Sequence, residues 1–266
     1  YMYHGASLAA LTKLAKNIKA KVATSSFSTE INGKKRAFAR GTIVIPAGIQ
    51  SAENWRVDTA QLAHQTNIEL LTIASGLTSQ GADFGSNSFK LLNQPKVLLL
   101  GGKGISQYEA GEIRYYLDET LHIPLSVVEH TRLAEIELSN YSHLVLVDGD
   151  YQGLTSGNIS AVKAWLKQGG TVFAQKRGAQ WLAKQDILAV NFASKKEIDQ
   201  LFDSDKLNYQ DKEQLSARKR IAGAIFETKL DISHPLAFGY NQETLPVFRN
   251  STLIMDAGQQ PFLTVA

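Results

Sequence analysis

Apolar positions in the first third of the chain recur with two different periods. Leu8, Leu11, Leu14, Ala15 and Ile18 fall on one helical face, so their spacing predicts a helix over 6–19. Residues 22–29 and 35–45 predict two strands around Asn32-Gly33, a pair that tolerates the positive φ of a tight hairpin turn, and Pro46 ends the second strand. A second helix is expected from about Val57 to Gln65, where Val57, Ala60 and His64 share a face, followed by a strand over 68–74. Residues 75–88 are rich in Gly and Ser and have no period, which marks a connector.

At Pro95 the pattern changes. Residues 96–100 form a short, almost wholly apolar run, Gly101-Gly102-Lys103-Gly104 reads as a loop, and Ser106 with Glu109 has the S-x-x-E spacing of a capping box that opens a helix. Strands follow at 125–129 and 143–147, then a helix over about 158–168 closed by Gly169-Gly170. A strand over 171–175 leads into a short helix around 178–183. Strands apolar throughout, alternating with amphipathic helices, imply a parallel sheet covered on both faces. The expected architecture is therefore α/β: a flavodoxin-like doubly wound sheet in residues 95–266, preceded by a small α+β segment in residues 1–94. Past Val190, Ser194 and Glu197 form another capping box, and Ile198, Leu201 and Phe202 make a short apolar stripe. The polar stretch 203–220 reads as a solvated helix or insertion. A strand over 222–230, a turn at His234-Pro235 and an edge strand at 245–248, demoted to the edge by Pro246, complete the chain.

Composition narrows the function classes. The chain has 266 residues, 44% of them hydrophobic and 20% charged, which suits one large core or two modest ones. Residues 1–95 carry 10 Lys and Arg against 5 Asp and Glu, with Lys34-Lys35-Arg36 as the one dense run. Neither a basic stripe with interleaved aromatics nor a groove-reading motif accompanies that excess, so no nucleic-acid partner is expected. There is no cysteine, which removes thiol nucleophiles, thiolate metal sites and disulfides together. No apolar run reaches the length of a membrane span, and no signal peptide opens the chain. The start at Tyr1 and the uncapped apolar end, Pro261 to Ala266, are what a piece of a longer polypeptide would show.

Open parallel sheets bind ligands beyond the carboxyl ends of their strands. This rule singles out Gly101, Gly102, Lys103 and Gly104 after one strand, Asp148 and Asp150 after another, and Lys176 and Arg177 after a third. Bare N–H groups of a glycine loop attract anions, but Gln107 stands where G-x-G-x-x-G requires glycine, and the P-loop spacing is absent too. Asp148 and Asp150 could hold a divalent cation or act as acid and base, although no third carboxylate lies near them in sequence. None of the six histidines begins an H-x-x-E or H-E-x-x-H motif, so no local zinc nest is expected.

The stretch from Thr171 to Gln180 is the most informative. A strand turning sharply into a helix is the geometry of a nucleophile elbow, and here it resembles the Gly-x-Cys-x-Gly-His-Gln turn of class I glutamine amidotransferases. Gly178 and Gln180 match that turn, but Lys176 stands at the cysteine, Ala174 at the preceding glycine and Ala179 at the histidine. His234-Pro235-Leu236 likewise resembles the family's His-x-Glu, with Leu236 in place of the carboxylate. Attack on a glutamine amide needs a thiolate, so the resemblance implies a fold without its reaction. A desolvated lysine can be a base or form a Schiff base, which makes Lys176 a candidate in its own right.

Further segments resemble the region downstream of the catalytic domain in bacterial secreted zinc carboxypeptidases of the carboxypeptidase A type. They are Arg40-Gly41-Thr42-Ile43-Val44-Ile45-Pro46, Asp83-Phe84-Gly85-Ser86, Pro95 to Leu100, Gly111 to Leu117 and Asp231 to Tyr240. The resemblance implies a non-catalytic accessory domain, a secreted or periplasmic setting, and a zinc-bearing peptidase domain upstream as its partner. No cofactor or metal ligand is implied within this chain. Two other readings stay open. One is a binding module that holds an anion or peptide through Lys103, Lys176, Arg177 and the glycine loop; the other is a hydrolase using Asp148 or Asp150 with a metal.

Overall fold

A computed structural model describes residues 18–202, 207–221, 223–256, 258 and 262–266. The helix expected over 6–19 lies outside them except for Ile18 and Lys19, which are not helical. The chain forms two compact units. The first gathers the described residues up to Leu98 with Gly111–Ser126 and Asn140–His143; the second comprises Leu99–Ala110, Val127–Ser139 and the described residues from Leu144 onward.

The first unit contains β1 (Lys21–Ala23), β2 (Phe27–Ile31), β3 (Lys34–Phe38), β4 (Ile43–Val44), helix α1 (Trp55–Thr66) and β5 (Phe89–Leu91). β2 and β3 pair antiparallel with Ile31 opposite Lys34, and the two residues between them, Asn32 (φ 52°) and Gly33 (φ 74°), both adopt positive φ. The Asn-Gly hairpin signal thus takes the form its chemistry favours. The expected strand over 22–29 divides at Thr24–Ser26, where Thr24 turns its N–H and hydroxyl to the Ser88 carbonyl (2.8 and 3.0 Å). β1 then joins a separate sheet of order β4-β1-β5, and the expected strand over 35–45 divides between the same two sheets. Residues 68–74 form no strand and pair with none of the sheets; Ile68 and Leu70 remain exposed. Phe27 organises the core here, stacking on Phe38 at 5.1 Å and meeting the edges of Phe84 and Phe89 at 5.3 and 5.2 Å. Such pairs contribute about 0.5–1.5 kcal/mol each beyond their burial. A smaller cluster joins Ile18 and Leu62 with Ile45 and Trp55, which seats α1.

The α/β part alternates β6 (Val97–Gly101), helix α2 (Gln107–Tyr115), β7 (Leu125–Glu129), β8 (His143–Leu146), helix α3 (Ser156–Lys167), β9 (Thr171–Ala174) and helix α4 (Lys176–Lys184). The four strands form one all-parallel sheet of order β7-β6-β8-β9. Leu98, Leu99 and Leu100 of β6 and Leu144, Val145 and Leu146 of β8 are all buried, as central strands covered on both faces must be. β9 lies at the edge and leaves Phe173 half exposed. Thr155 caps α3 in a reciprocal box with Asn158, and Val162 and Trp165 bury its inner face.

Helix α5 (Lys195–Gln200) opens with the expected Ser194–Glu197 box, both bonds present, and α6 (Lys212–Arg218) lies in the polar stretch whose residues 203–206 are outside the description. β10 (Ala224–Lys229) and β11 (Thr244–Arg249) make an antiparallel ribbon with Glu227 opposite Pro246, apart from the parallel sheet. Leu230 N donates to Glu243 O, so the ladder bonds fall at even positions of β10, and Pro246 turns its donorless nitrogen outward. Among the described residues no helix is long and apolar enough to cross a membrane.

Helix α2 buries none of its residues, and at its centre Gly111 has nothing within 4 Å of where a Cβ would stand. Replacing Gly111 with Ala is expected to raise unfolding stability by about 0.5–1 kcal/mol, since alanine loses less backbone entropy in a helix. Denaturant unfolding of the two proteins checks this.

Candidate functional site

Three connections at the carboxyl ends of β6, β8 and β9 build the site, and the candidate binding residues Gly101 to Gly104, Asp148, Asp150, Lys176 and Arg177 lie on or directly beside them. The first two are laced together: Ser106 N donates to Asp148 O (2.8 Å) and Asp150 N donates to Gly104 O (3.1 Å). Ile105 N closes its own loop onto Gly102 O at 3.2 Å. Donors of the glycine loop at Ile105 and Ser106 are thereby spent on neighbouring backbone. Gly102 itself has φ 103°, and a Cβ there would stand 2.5 Å from Glu129 Cγ, so both backbone shape and space demand glycine.

The third loop is the elbow. Gln175 is extended and its N–H donates to Leu146 O (3.0 Å), anchoring the turn to β8. Lys176 then takes φ 48°, a left-handed conformation that costs a side-chain-bearing residue about 1–2 kcal/mol, and α4 begins at once. Two residues on, Gly178 lets the helix lie against the sheet, because a Cβ there would stand 2.8 Å from Leu146 O and 2.9 Å from Val147 O. Ala179, Trp181 and Leu182 bury behind it. The strand-turn-helix geometry read from Thr171–Gln180 is therefore present, with the lysine at the tip.

What the tip touches was not legible. The Lys176 ammonium forms an ion pair with Oε1 of Glu109, the carboxylate in the first turn of α2. Glu109 Oε2 accepts from Asp148 N (2.9 Å) and from Gln175 Nε2 (2.8 Å). The expected capping box is thus only half made. Ser106 Oγ does accept from Glu109 N (3.4 Å), but the Glu109 carboxylate turns away from its own helix, and Ser106 N finds Asp148 O instead. The S-x-x-E spacing looks the same in both uses, so only the neighbouring loops could reveal the second.

Arg177 is held just as firmly. Its Nε donates to Asp148 Oδ1 (2.7 Å) and its Nη2 to Asp148 Oδ2 (2.9 Å), a bidentate fork. That hydrogen bonding holds the Asp148 carboxyl below its usual value and raises the guanidinium, each chiefly through the other. Two cations and two carboxylates so placed cancel. Asp150 is exposed, its Oδ1 accepting from Gln152 N (3.0 Å), and Lys103 is exposed in its loop. Asp148 is engaged by Arg177, and no group of three metal-ligating side chains gathers among the described residues.

Beneath the loops lies a buried aromatic floor. Tyr151 donates its hydroxyl to Val147 O (2.9 Å), and burial, helped by the charges of Asp148 and Glu109, pushes its phenol well above the usual value. His130 meets Tyr151 edge-on at 6.1 Å, and Trp181 meets it from another side at 5.8 Å. His130 Nδ1 lies 3.2 Å from Gly101 O; a carbonyl only accepts, so Nδ1 carries the proton. This histidine staples the glycine loop. His234, by contrast, accepts from Leu236 N (3.2 Å) within its own turn, and Leu236 is exposed.

No family model matches the chain, and no curated protein or solved structure shows significant similarity to it.

Two outcomes test this geometry. Gly178→Ala is expected to destabilise the protein by about 1–3 kcal/mol, because the new methyl meets backbone oxygens that cannot move aside, and thermal unfolding reads the loss. The second concerns pH. The folded state lowers the Asp148 pKa, so the Asp148–Arg177 pair stabilises above the ordinary aspartate value and loses that contribution as pH falls below about 4. Asp148→Asn should therefore flatten the acid limb of the stability profile while being less stable than the parent at neutral pH.

Proposed function

We propose that this chain is a non-catalytic module, an amidotransferase-like α/β domain with a small α+β segment, serving a secreted or periplasmic zinc carboxypeptidase through docking and substrate positioning. The observation that carries the reading is the occupied elbow. The amine at the tip is held in an ion pair with Glu109 where the amidotransferase reaction needs a thiolate, and that carboxylate is engaged by two further donors. The sheet order supports a flavodoxin-like assignment: in chain order the strands lie second, first, third, fourth, the opening of the 2-1-3-4-5 arrangement. The segment resemblances to the carboxypeptidase region supply the setting, and the peptidase zinc then belongs to ligands on the upstream domain. A peptide or other anion bound by Lys176 and Arg177 is the weaker reading, because both cations already face carboxylates of the chain itself.

The purified chain, given glutamine or peptides, is expected to release neither ammonia nor amino acids above a blank, and Lys176→Ala is expected to behave identically. Turnover that disappears in Lys176→Ala would overturn the non-catalytic reading. Peptide mapping of the native polypeptide addresses the setting: it should find this sequence covalently continuous with an H-x-x-E segment, and a free-standing product would exclude the accessory role.

A further inference from the structure

We propose that the donors gathered at the elbow form a binding site for a small monocarboxylate, and that Glu109 occupies it as a tethered internal ligand. This goes beyond the accessory reading and stands on the elbow's geometry alone.

The receptor half comes from two loops: Asp148 N after β8, and Gln175 Nε2 and Lys176 Nζ after β9. The ligand half comes from α2. Both oxygens of the carboxylate are used, one by the cation and the other by a backbone N–H at 2.9 Å and a side-chain amide at 2.8 Å. One fixed positive charge with neutral donors beside it is the usual composition of a carboxylate pocket. Charge agrees with this division. Arg177 is paired with Asp148 and also feels Asp150, so removing Glu109 leaves the Lys176 ammonium as the cation without its ion-pair partner.

Helix α2 is lightly packed: none of its residues is fully buried, and Gly111 at its centre weakens it further. By contrast, the elbow is closely seated: Gln175 N donates to Leu146 O, Lys176 follows at φ 48°, and Gly178 lies against the backbone oxygens of Leu146 and Val147. A preformed set of donors thus meets a carboxylate whose supporting helix is lightly seated. Because a tethered ligand acts at an effective concentration of about millimolar or more, free carboxylates should compete poorly with it while the tether is intact. The ligand class follows from the contacts: a formate- or acetate-sized R–COO⁻ whose two oxygens replace those of Glu109.

Glu109→Ala, which removes the internal carboxylate, is melted in sodium acetate and in sodium chloride at matched ionic strength and neutral pH, beside the parent chain and Glu109→Ala/Lys176→Met. Acetate is expected to raise the Glu109→Ala midpoint by a few degrees in a saturable way, with no gain over chloride in the parent or the double variant. Equal responses in all three proteins, or none above chloride in Glu109→Ala, would overturn the site. If Glu109→Ala folds only in acetate, that also supports it. If it folds in neither salt, Glu109→Ser is examined the same way, and its failure to fold in acetate counts against the site, since a carboxylate from solution should replace the one removed. None of these readouts depends on turnover or on a peptidase partner, so the proposed function can fail while this site stands, and the reverse.

Discussion

The ends of the parallel sheet are held together by one carboxylate. Glu109 bonds the backbone after β8, the side chain that follows β9 and the first residue of α4, and it is carried by the helix that follows β6. Its side chain is only 12% exposed. A carboxylate so far out of water is costly unless its lone pairs are met, and here a cation and two neutral donors meet them. The positive φ of Lys176, the extended Gln175 and the stapled glycine loop form a consistent arrangement around that requirement.

The same economy of charge governs what the site can do. Lysine and arginine at the rim of a parallel sheet invite an anion, yet each faces a carboxylate of the chain itself: Lys176 with Glu109, and Arg177 with Asp148. The first pair is mostly buried and therefore little screened by salt. The second leaves its guanidinium half exposed, so its value is geometric as much as energetic. Beneath both, the His130–Tyr151–Trp181 cluster ties the glycine loop and the β8 loop to the core through backbone carbonyls rather than through charge.

Regular elements were legible wherever local pattern and tertiary demand agreed. The apolar runs of β6 and β8, the capping residues before α5, and the Asn-Gly turn all encode their structure within a few residues. The readings that failed depended on a partner distant in sequence. Residues 68–74 have strand composition, but no strand of the fold pairs with them. Phe27 and Ala23 look like one strand in sequence, yet the bonds of Thr24 to Ser88, 64 residues away, bend the chain between two sheets. Glu109 reads as a cap because its spacing to Ser106 is that of a cap.

By itself, then, the sequence determined the alternation of strands and helices after Pro95, the sharp turn at Gln175–Gly178 and the lysine, not a thiol, at its tip. Periodicity, glycine and the identity of a reacting atom are local properties that no long-range contact can alter. Only the tertiary structure decided which carboxylate each cation would meet, which apolar runs would find a ladder, and that Glu109 would leave its own helix to do so. An ion pair or a ladder bond depends on distances across several angstroms between residues tens of positions apart, and folding sets those distances.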